Sequence, residues 1–297
     1  MPPLTGLSAF PITPADPHGR VDTQALGGLL ERLTEAGVDS IGLLGSTGSY
    51  PYLTRAERRR AIEAAVEKVG GRTPLLAGIG ALRTDEAVAL GQDAKAAGAD
   101  IGLLAPVSYT PLTEDEVFVH FETVATKVDM PLCIYNNPGT THFSFSDALI
   151  ARLSRLPQVV AVKNPAPVPA EAPARVAALR AQVPADFSVG YSTDWNAAPA
   201  LLAGGDAWYS VLAGLFPKPC LKLCRTAQAG DADETQRLNA ALQPVWDLFL
   251  EFSSLRVVYA AANQLGLCQT APPRPILPLA GAAQRKVAEV FERLELT

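Results

Sequence analysis

The stretch SIGLLGSTGSYPYLTRAERRRAIEAAVEKVGGRTPLLAGIG, residues 40–80, decides the fold. It opens with a short apolar run, SIGLLGS (40–46), which ends in glycine and serine and reads as a buried strand. TRAERRRAIEAAVEKVG (54–70) follows with helical periodicity, and Thr54 and Glu57 have the spacing of a capping box. A second apolar run, PLLAGIG (74–80), closes the unit. A strand, a helix and a strand in this order make a crossover that sets the two strands parallel.

The same rhythm runs along most of the 297 residues. The other strand candidates are GLSAFPI (6–12), DIGLLAP (100–106), PLCIYNN (131–137), VVAVKNP (159–165), FSVGYST (187–193) and AWYSVLAG (207–214). Amphipathic helices lie between them. TQALGGLLERLTEAG (23–37) puts Leu26, Leu29, Leu30 and Leu33 on one face, and TEDEVFVHFETVATKV (113–128) repeats the capping device with Thr113 and Glu116. Gly37 and Gly98 stand where helices end. About eight βα units predict a closed (β/α)8 TIM barrel. An open doubly wound sheet is the alternative, but no G-x-G-x-x-G follows the first strand. From about residue 217 the pattern is helical throughout. The expected organisation is a barrel over 1–225 and a C-terminal helical extension over 226–297 packed on it.

Composition narrows the function classes. The chain is 48% hydrophobic and 19% charged with a net charge of -5, which suits a globular enzyme and argues against nucleic acid as a partner. Arg58-Arg59-Arg60 reads as a solvated helix face. No apolar run is long enough to span a membrane, and the N-terminus lacks the charged start and apolar stretch of a signal peptide. Cys133, Cys220, Cys224 and Cys268 make no disulfide framework, and Cys220 and Cys224 at i, i+4 suit a helix face. The cytoplasm is the expected compartment. His18, His120 and His142 show no metal-ligand spacing, so neither metal nor cofactor is expected.

In such a barrel, chemistry gathers where the strands end. The second strand runs into Gly45-Ser46-Thr47-Gly48-Ser49, a turn whose hydroxyls and backbone N–H groups can hold a carboxylate. The fourth leads to Ser108-Tyr109-Thr110, the fifth to Tyr135-Asn136-Asn137-Pro138-Gly139-Thr140-Thr141, and the seventh to Gly190-Tyr191-Ser192-Thr193-Asp194. The sixth holds Lys163 behind Val159, Val160, Ala161 and Val162. Burying an ammonium costs several kcal/mol unless it is paired or gives up its proton. Lys163 therefore snorkels, pairs with an acid, or serves as a nucleophile whose free amine attacks a carbonyl. Strands five to seven offer no acid before Asp194, which weakens the pairing reading.

GSTGS on the second strand, YNNPG on the fifth and VAVKN on the sixth resemble the dihydrodipicolinate synthase / N-acetylneuraminate lyase family. The likeness covers nearly the whole chain, including RPILPL (274–279). It implies a homotetramer, a dimer of dimers, that binds pyruvate or another 2-keto acid as a Schiff base on Lys163. It further implies that Tyr135 shuttles protons and that Ser46 and Thr47, with Gly48 in the same turn, hold the keto acid's carboxylate. By the same resemblance Tyr109 reaches into a neighbouring subunit's site, and Gly190 lets the substrate approach the backbone.

Four positions depart from the family pattern. Thr140 stands where true dihydrodipicolinate synthases carry an arginine for the second substrate's carboxylate. Ser192 and Thr193 replace the acidic pair of sialic acid lyases, and Ser49 replaces a common glutamate. The expectation is a Schiff-base aldolase or lyase acting on a 2-keto acid and an aldehyde, outside both standard activities. A rim of Thr140, Thr141, Ser192 and Thr193 would suit a polyhydroxy or uncharged aldehyde. One alternative is 4-hydroxy-tetrahydrodipicolinate synthase with a displaced carboxylate-binding residue. Another is a non-catalytic, 2-keto-acid-binding regulatory relative, against which intact Lys163 and Tyr135 argue.

Overall fold

The apolar runs form strands that are covered on both faces, by one another's side chains inside and by helices outside. The computed structural model describes residues 4–294. Strands β1 (Gly6–Ala9), β2 (Ser40–Leu43), β3 (Leu75–Gly78), β4 (Ile101–Leu104), β5 (Leu132–Tyr135), β6 (Val159–Pro165), β7 (Ser188–Ser192) and β8 (Ala207–Ser210) pair in chain order. A parallel β1–β8 ladder closes the barrel. All eight strands lie where the sequence predicts them. Most stop sooner than the apolar runs, because the C-terminal ends of those runs leave the ladder and become the loops of the barrel mouth.

Period-two alternation separates two cores. Ile134, Val162 and Val189 point outward into the layer between sheet and helices. Phe10, Leu76, Leu103, Cys133, Tyr135, Ala161 and Tyr209 fill the barrel interior. The surrounding helices are α1 (Thr23–Ala36), α2 (Arg55–Val69), α3 (Thr84–Ala97), α4 (Glu114–Val128), the short α5 (Pro138–Thr141), α6 (Asp147–Leu153), α7 (Ala172–Arg180), α8 (Asp194–Leu202) and α9 (Pro217–Gln228). Gly37 and Gly98 end α1 and α3 in the left-handed conformation, with φ 78° and 99°.

Four more helices follow: α10 (Ala232–Ala241), α11 (Gln243–Phe252), α12 (Ser254–Gln264) and α13 (Gly281–Arg293). Helix α9 runs through the expected division at 225/226. Helix α10 packs on α8 and α9, and α11 packs on α8, α12 and α13. Phe216, ahead of α9, stacks on Phe291 of α13 with ring centroids 4.9 Å apart.

Two local expectations are corrected. Thr113 and Glu116 form a complete capping box, but Thr54 and Glu57 form half of one. The Glu57 amide donates to Thr54 Oγ1 at 3.3 Å, while its carboxylate accepts from the Val21 amide at 2.8 Å and from Arg60 at 3.0 Å. The basic run is not a solvated face throughout. Arg58 is only 6% exposed and donates to the carbonyls of Gly78, at 2.7 Å, and Gly80, at 3.1 Å. Those carbonyls lie at the end of β3 and just beyond it, and the Tyr50 ring covers the guanidinium at 5.1 Å.

Close packing around β1 and β2 explains one glycine. A Cβ on Gly42 would lie 2.1 Å from the Phe10 ring. Gly42→Ala should therefore lower unfolding stability by about 1–3 kcal/mol through overpacking. An unchanged denaturant midpoint would show that the ring has room to move.

His120 is a packing histidine, set edge-on to Phe121 with its Nδ1 2.9 Å from Thr84 Oγ1. Its Nε2 is buried without a partner among the described residues, and burial pushes the imidazole down to about 4. The unfolded chain takes up this proton near pH 6.5 and the folded chain does not, so stability rises with pH between about 4 and 6.5. Acidification through that window should cost up to about 3 kcal/mol. His120→Gln should flatten the profile there, and an unchanged slope would contradict the assignment.

Candidate active site

Strand register brings the central residues together. Tyr135 of β5 pairs with Lys163 of β6, and Lys163 pairs with Gly190 of β7. Paired positions on neighbouring parallel strands face the same side, so Tyr135 and Lys163 both point into the barrel. Lys163 is 4% exposed. No ion pair or hydrogen bond of its amine is found among the described residues. Its neighbours are aromatic rings: Nζ lies 3.7 Å from the Phe10 centroid, 4.4 Å from Tyr135 and 5.9 Å from Tyr209. Phe10 and Tyr209 meet edge to face at 5.9 Å, which holds two walls of this box in place.

The groups beneath the amine are neutral. Burial raises the Tyr209 phenol well above its usual range and pushes the Cys133 thiol up to about 12. Asp194 is the nearby buried acid, and its oxygens are already taken. They accept from Trp208 Nε1 at 3.1 Å, Ser210 Oγ at 3.1 Å, and the amides of Val211 at 3.3 Å and Leu212 at 2.8 Å. Burial raises its carboxyl. Asp194 thus fixes the loop after β8 and is no counter-ion for Lys163.

A polar network stands over the amine. The Tyr135 hydroxyl donates to Ser46 Oγ at 3.0 Å. Asn137 Nδ2 lies 3.1 Å from Ser46 Oγ and 2.9 Å from the Tyr135 oxygen, so one amide pins both hydroxyls. Ser46 accepts from both partners and keeps its own proton free to donate. Thr47 is buried beside it, and its hydroxyl has no partner among the described residues. A reacting carbonyl would lie against the Lys163 amine, with proton-transfer groups above it and hydroxyls ready for a carboxylate.

A cavity of about 360 Å³ collects Ser46, Thr47, Tyr135, Thr140, Lys163 and Ser192. Clefts of about 700 and 670 Å³ lie elsewhere, and Lys163 lines neither. Three expected residues are not in this cavity. Tyr109 is 97% exposed on the loop between β4 and α4. Gly48 sits below the turn, where a Cβ would lie 2.9 Å from Thr13 Oγ1 and 3.0 Å from the Leu44 backbone. A Cβ on Gly190 would lie 2.4 Å from the Tyr209 ring, so this glycine makes room for an aromatic wall.

The rim also differs from the neutral, hydroxyl-rich edge expected from the sequence. Thr141 turns away and donates to the Asn137 carbonyl at 3.0 Å. Arg256 of α12 lines the cavity instead, so the rim carries a cation. Sequence reading missed Phe10, Asn137, Tyr209 and Arg256. Asn137 lay within the quoted YNNPG motif, whereas the other three come from chain segments with no polar signature of their own.

The chain matches the Dihydrodipicolinate synthetase family over residues 3–294. It is 35% identical over 288 residues to 4-hydroxy-tetrahydrodipicolinate synthase of Pseudomonas putida (strain W619), covering 96% of each chain. The fold superposes on dihydrodipicolinate synthase of Agrobacterium tumefaciens str. C58 with a TM-score of 0.96, at 59% identity over 98% of both chains. It also superposes, with a TM-score of 0.91, on the chloride-inhibited dihydrodipicolinate synthase of Acinetobacter baumannii, solved in complex with pyruvate. That pair is 29% identical, with 99% of each chain covered. The full-length match, the closed barrel and the extra helices together place this chain in the Dihydrodipicolinate synthetase family, a family of carbon–carbon lyases.

Proposed function

We propose that this protein is a Schiff-base aldolase that joins a 2-keto acid, pyruvate in the first instance, to an aldehyde, or cleaves the product. The observation that carries this reading is the Lys163 amine, held among rings with no acidic partner directly below the Tyr135–Ser46–Asn137 network. The A. baumannii relative's complex with pyruvate supports the choice of keto acid.

The amine attacks the C2 carbonyl of the keto acid, and the carbinolamine loses water to form a protonated imine. That imine is an electron sink: loss of a C3 proton gives an enamine, and C3 then forms the new bond to the aldehyde carbon. Water hydrolyses the product imine and returns the free lysine. Tyr135 moves protons at C2 and at the aldehyde oxygen, and Ser46 relays them. Thr47 and the turn that Gly48 shapes hold the keto acid's carboxylate. Thr140 and Ser192 face the aldehyde.

Thr140 supplies one hydroxyl where a bidentate guanidinium would grip a carboxylate, so the acceptor site differs from that of a standard dihydrodipicolinate synthase. A binding protein without catalysis would have no use for an unpaired amine beneath a proton relay. Tyr109, exposed on its own chain, completes a neighbour's site in a homotetramer built as a dimer of dimers.

Pyruvate with borohydride should fix a covalent adduct on Lys163, located by mass spectrometry of the labelled peptide. Lys163→Ala and Lys163→Arg should both abolish it, since arginine remains protonated. A label on Lys68 or Lys95, or none, contradicts the reading. Tyr135→Phe should keep most pyruvate binding and slow turnover by about 10²–10⁴; a rate within threefold of wild type would remove Tyr135 from proton transfer. Light scattering at micromolar concentration should show a tetramer, or at least a dimer burying the Tyr109 loop. A fully active monomer would contradict the shared site.

A further inference from the structure

The chemistry above gives Asn137 no task. It stands at the N-cap of α5, where an asparagine side chain ordinarily accepts from amides of the first turn. Here the side chain makes no capping bond among the described residues. The Thr140 and Thr141 amides are satisfied by its backbone carbonyl instead, at 3.0 Å each. The side chain is therefore not needed to hold the helix, and it reaches to Tyr135 and Ser46. Its neighbour Asn136 fixes the loop in place. Asn136 donates from its backbone amide to the Lys163 carbonyl at 3.0 Å and from Nδ2 to Asn164 Oδ1 at 3.0 Å. Both bonds run to β6, so the loop that carries Asn137 is tied to the strand that carries Lys163.

The hydrogens of this triangle can be counted. Asn137 Nδ2 carries two, and gives one to the Tyr135 oxygen at 2.9 Å and one to Ser46 Oγ at 3.1 Å. Tyr135 carries one and points it at Ser46, at 3.0 Å. An amide hydrogen does not transfer in such a relay, so Asn137 remains a donor to the phenol oxygen whether or not that oxygen holds its proton. Imine formation calls on this. The carbinolamine hydroxyl takes the Tyr135 proton and leaves as water. The nitrogen lone pair closes the C=N bond, and the phenol oxygen keeps its electron pair as an anion. Tyr135 is only 5% exposed, so the new charge is met by donors already in place rather than by bulk water. Asn137 supplies one. Ser46, which accepts from Tyr135 before the transfer, turns its own hydrogen toward the anion and supplies a second.

We infer that Asn137 is a positioning residue of the proton relay: it acts through the Tyr135 oxygen, holding it against Ser46 and donating to the anion formed when the phenol proton leaves. This rests on the imine reading above. A hydrogen bond to a charged oxygen is stronger than one to a neutral oxygen, so Asn137 favours the state after the transfer over the state before it. An apolar side chain at position 137 would keep the backbone bonds of α5 and the place of Lys163, and would lose this preference.

The test follows imine formation with pyruvate alone in the full-length protein, by rapid mixing, borohydride quench and mass spectrometry of the Lys163 peptide. Asn137→Ala should slow the approach to the final adduct by about 10–100-fold. Its final extent at saturating pyruvate should stay near that of wild type, which shows that the variant is folded and binds. In a Tyr135→Phe background, Asn137→Ala should cost less than about threefold more, because the oxygen it acts on is gone. Asn137→Asp keeps the shape but at neutral pH presents only acceptors and a negative charge, so it should be at least as slow as Asn137→Ala. An Asn137→Ala rate within about threefold of wild type overturns the inference. So does a final extent that falls in step with the rate, a pair of losses that multiply in the double variant, or an Asn137→Asp that reacts at the wild-type rate. If wild type itself forms no adduct, the imine reading fails and this inference falls with it.

Discussion

An amine with no counter-ion among the described residues is the constraint on which this site depends. Lys163 sits on the sixth strand of a closed barrel, where inward residues meet other side chains and little water. Its surroundings supply ring faces in place of carboxylates. A carboxylate in contact would hold the ammonium and compete with the substrate carbonyl for the nitrogen. Aromatic faces keep the amine in place without a salt bridge that must be broken before it can react. The one buried acid close by is fully engaged in holding the loop after β8.

The fold delivers this arrangement through register and closure. Parallel pairing of β5, β6 and β7 sets Tyr135 beside Lys163, and closure through β1 and β8 brings Phe10 and Tyr209 to the opposite walls. The turn after β2 then reaches over the opening, and Asn137 locks Ser46 to Tyr135. The helical extension contributes more than stability. Its α12 is tied to that same turn through Tyr259 and Ser49 and presents Arg256 to the cavity. Thus the barrel interior carries Lys163 and Tyr135, and the rim of the cavity is built partly from outside the barrel.

How much of this could be read from the sequence follows from the range of each interaction. The strands were legible as apolar runs, and Lys163, Tyr135, Ser46 and Thr47 converge because each stands at a strand end. Arg58 misled because a helix face looks solvated until the carbonyls at the end of β3 and just beyond it are known to lie against it. The partners of Gly48 and Gly190 were hidden for a similar reason: a glycine signals close approach without naming what approaches. Phe10 and Arg256 were illegible. The first is an ordinary core residue until barrel closure sets its ring under the amine, and the second depends on how an extension helix docks.

The most direct measurement is the exchange of pyruvate's methyl protons in D2O, followed by proton NMR with no aldehyde present. An imine that reaches the enamine accelerates this exchange with no acceptor present, so the identity of the acceptor does not matter. The wild-type enzyme should deuterate the methyl group well above the rate of buffer alone, and Lys163→Ala should return it to that background. Exchange that survives in Lys163→Ala, or none in the wild type, would contradict an imine at this lysine.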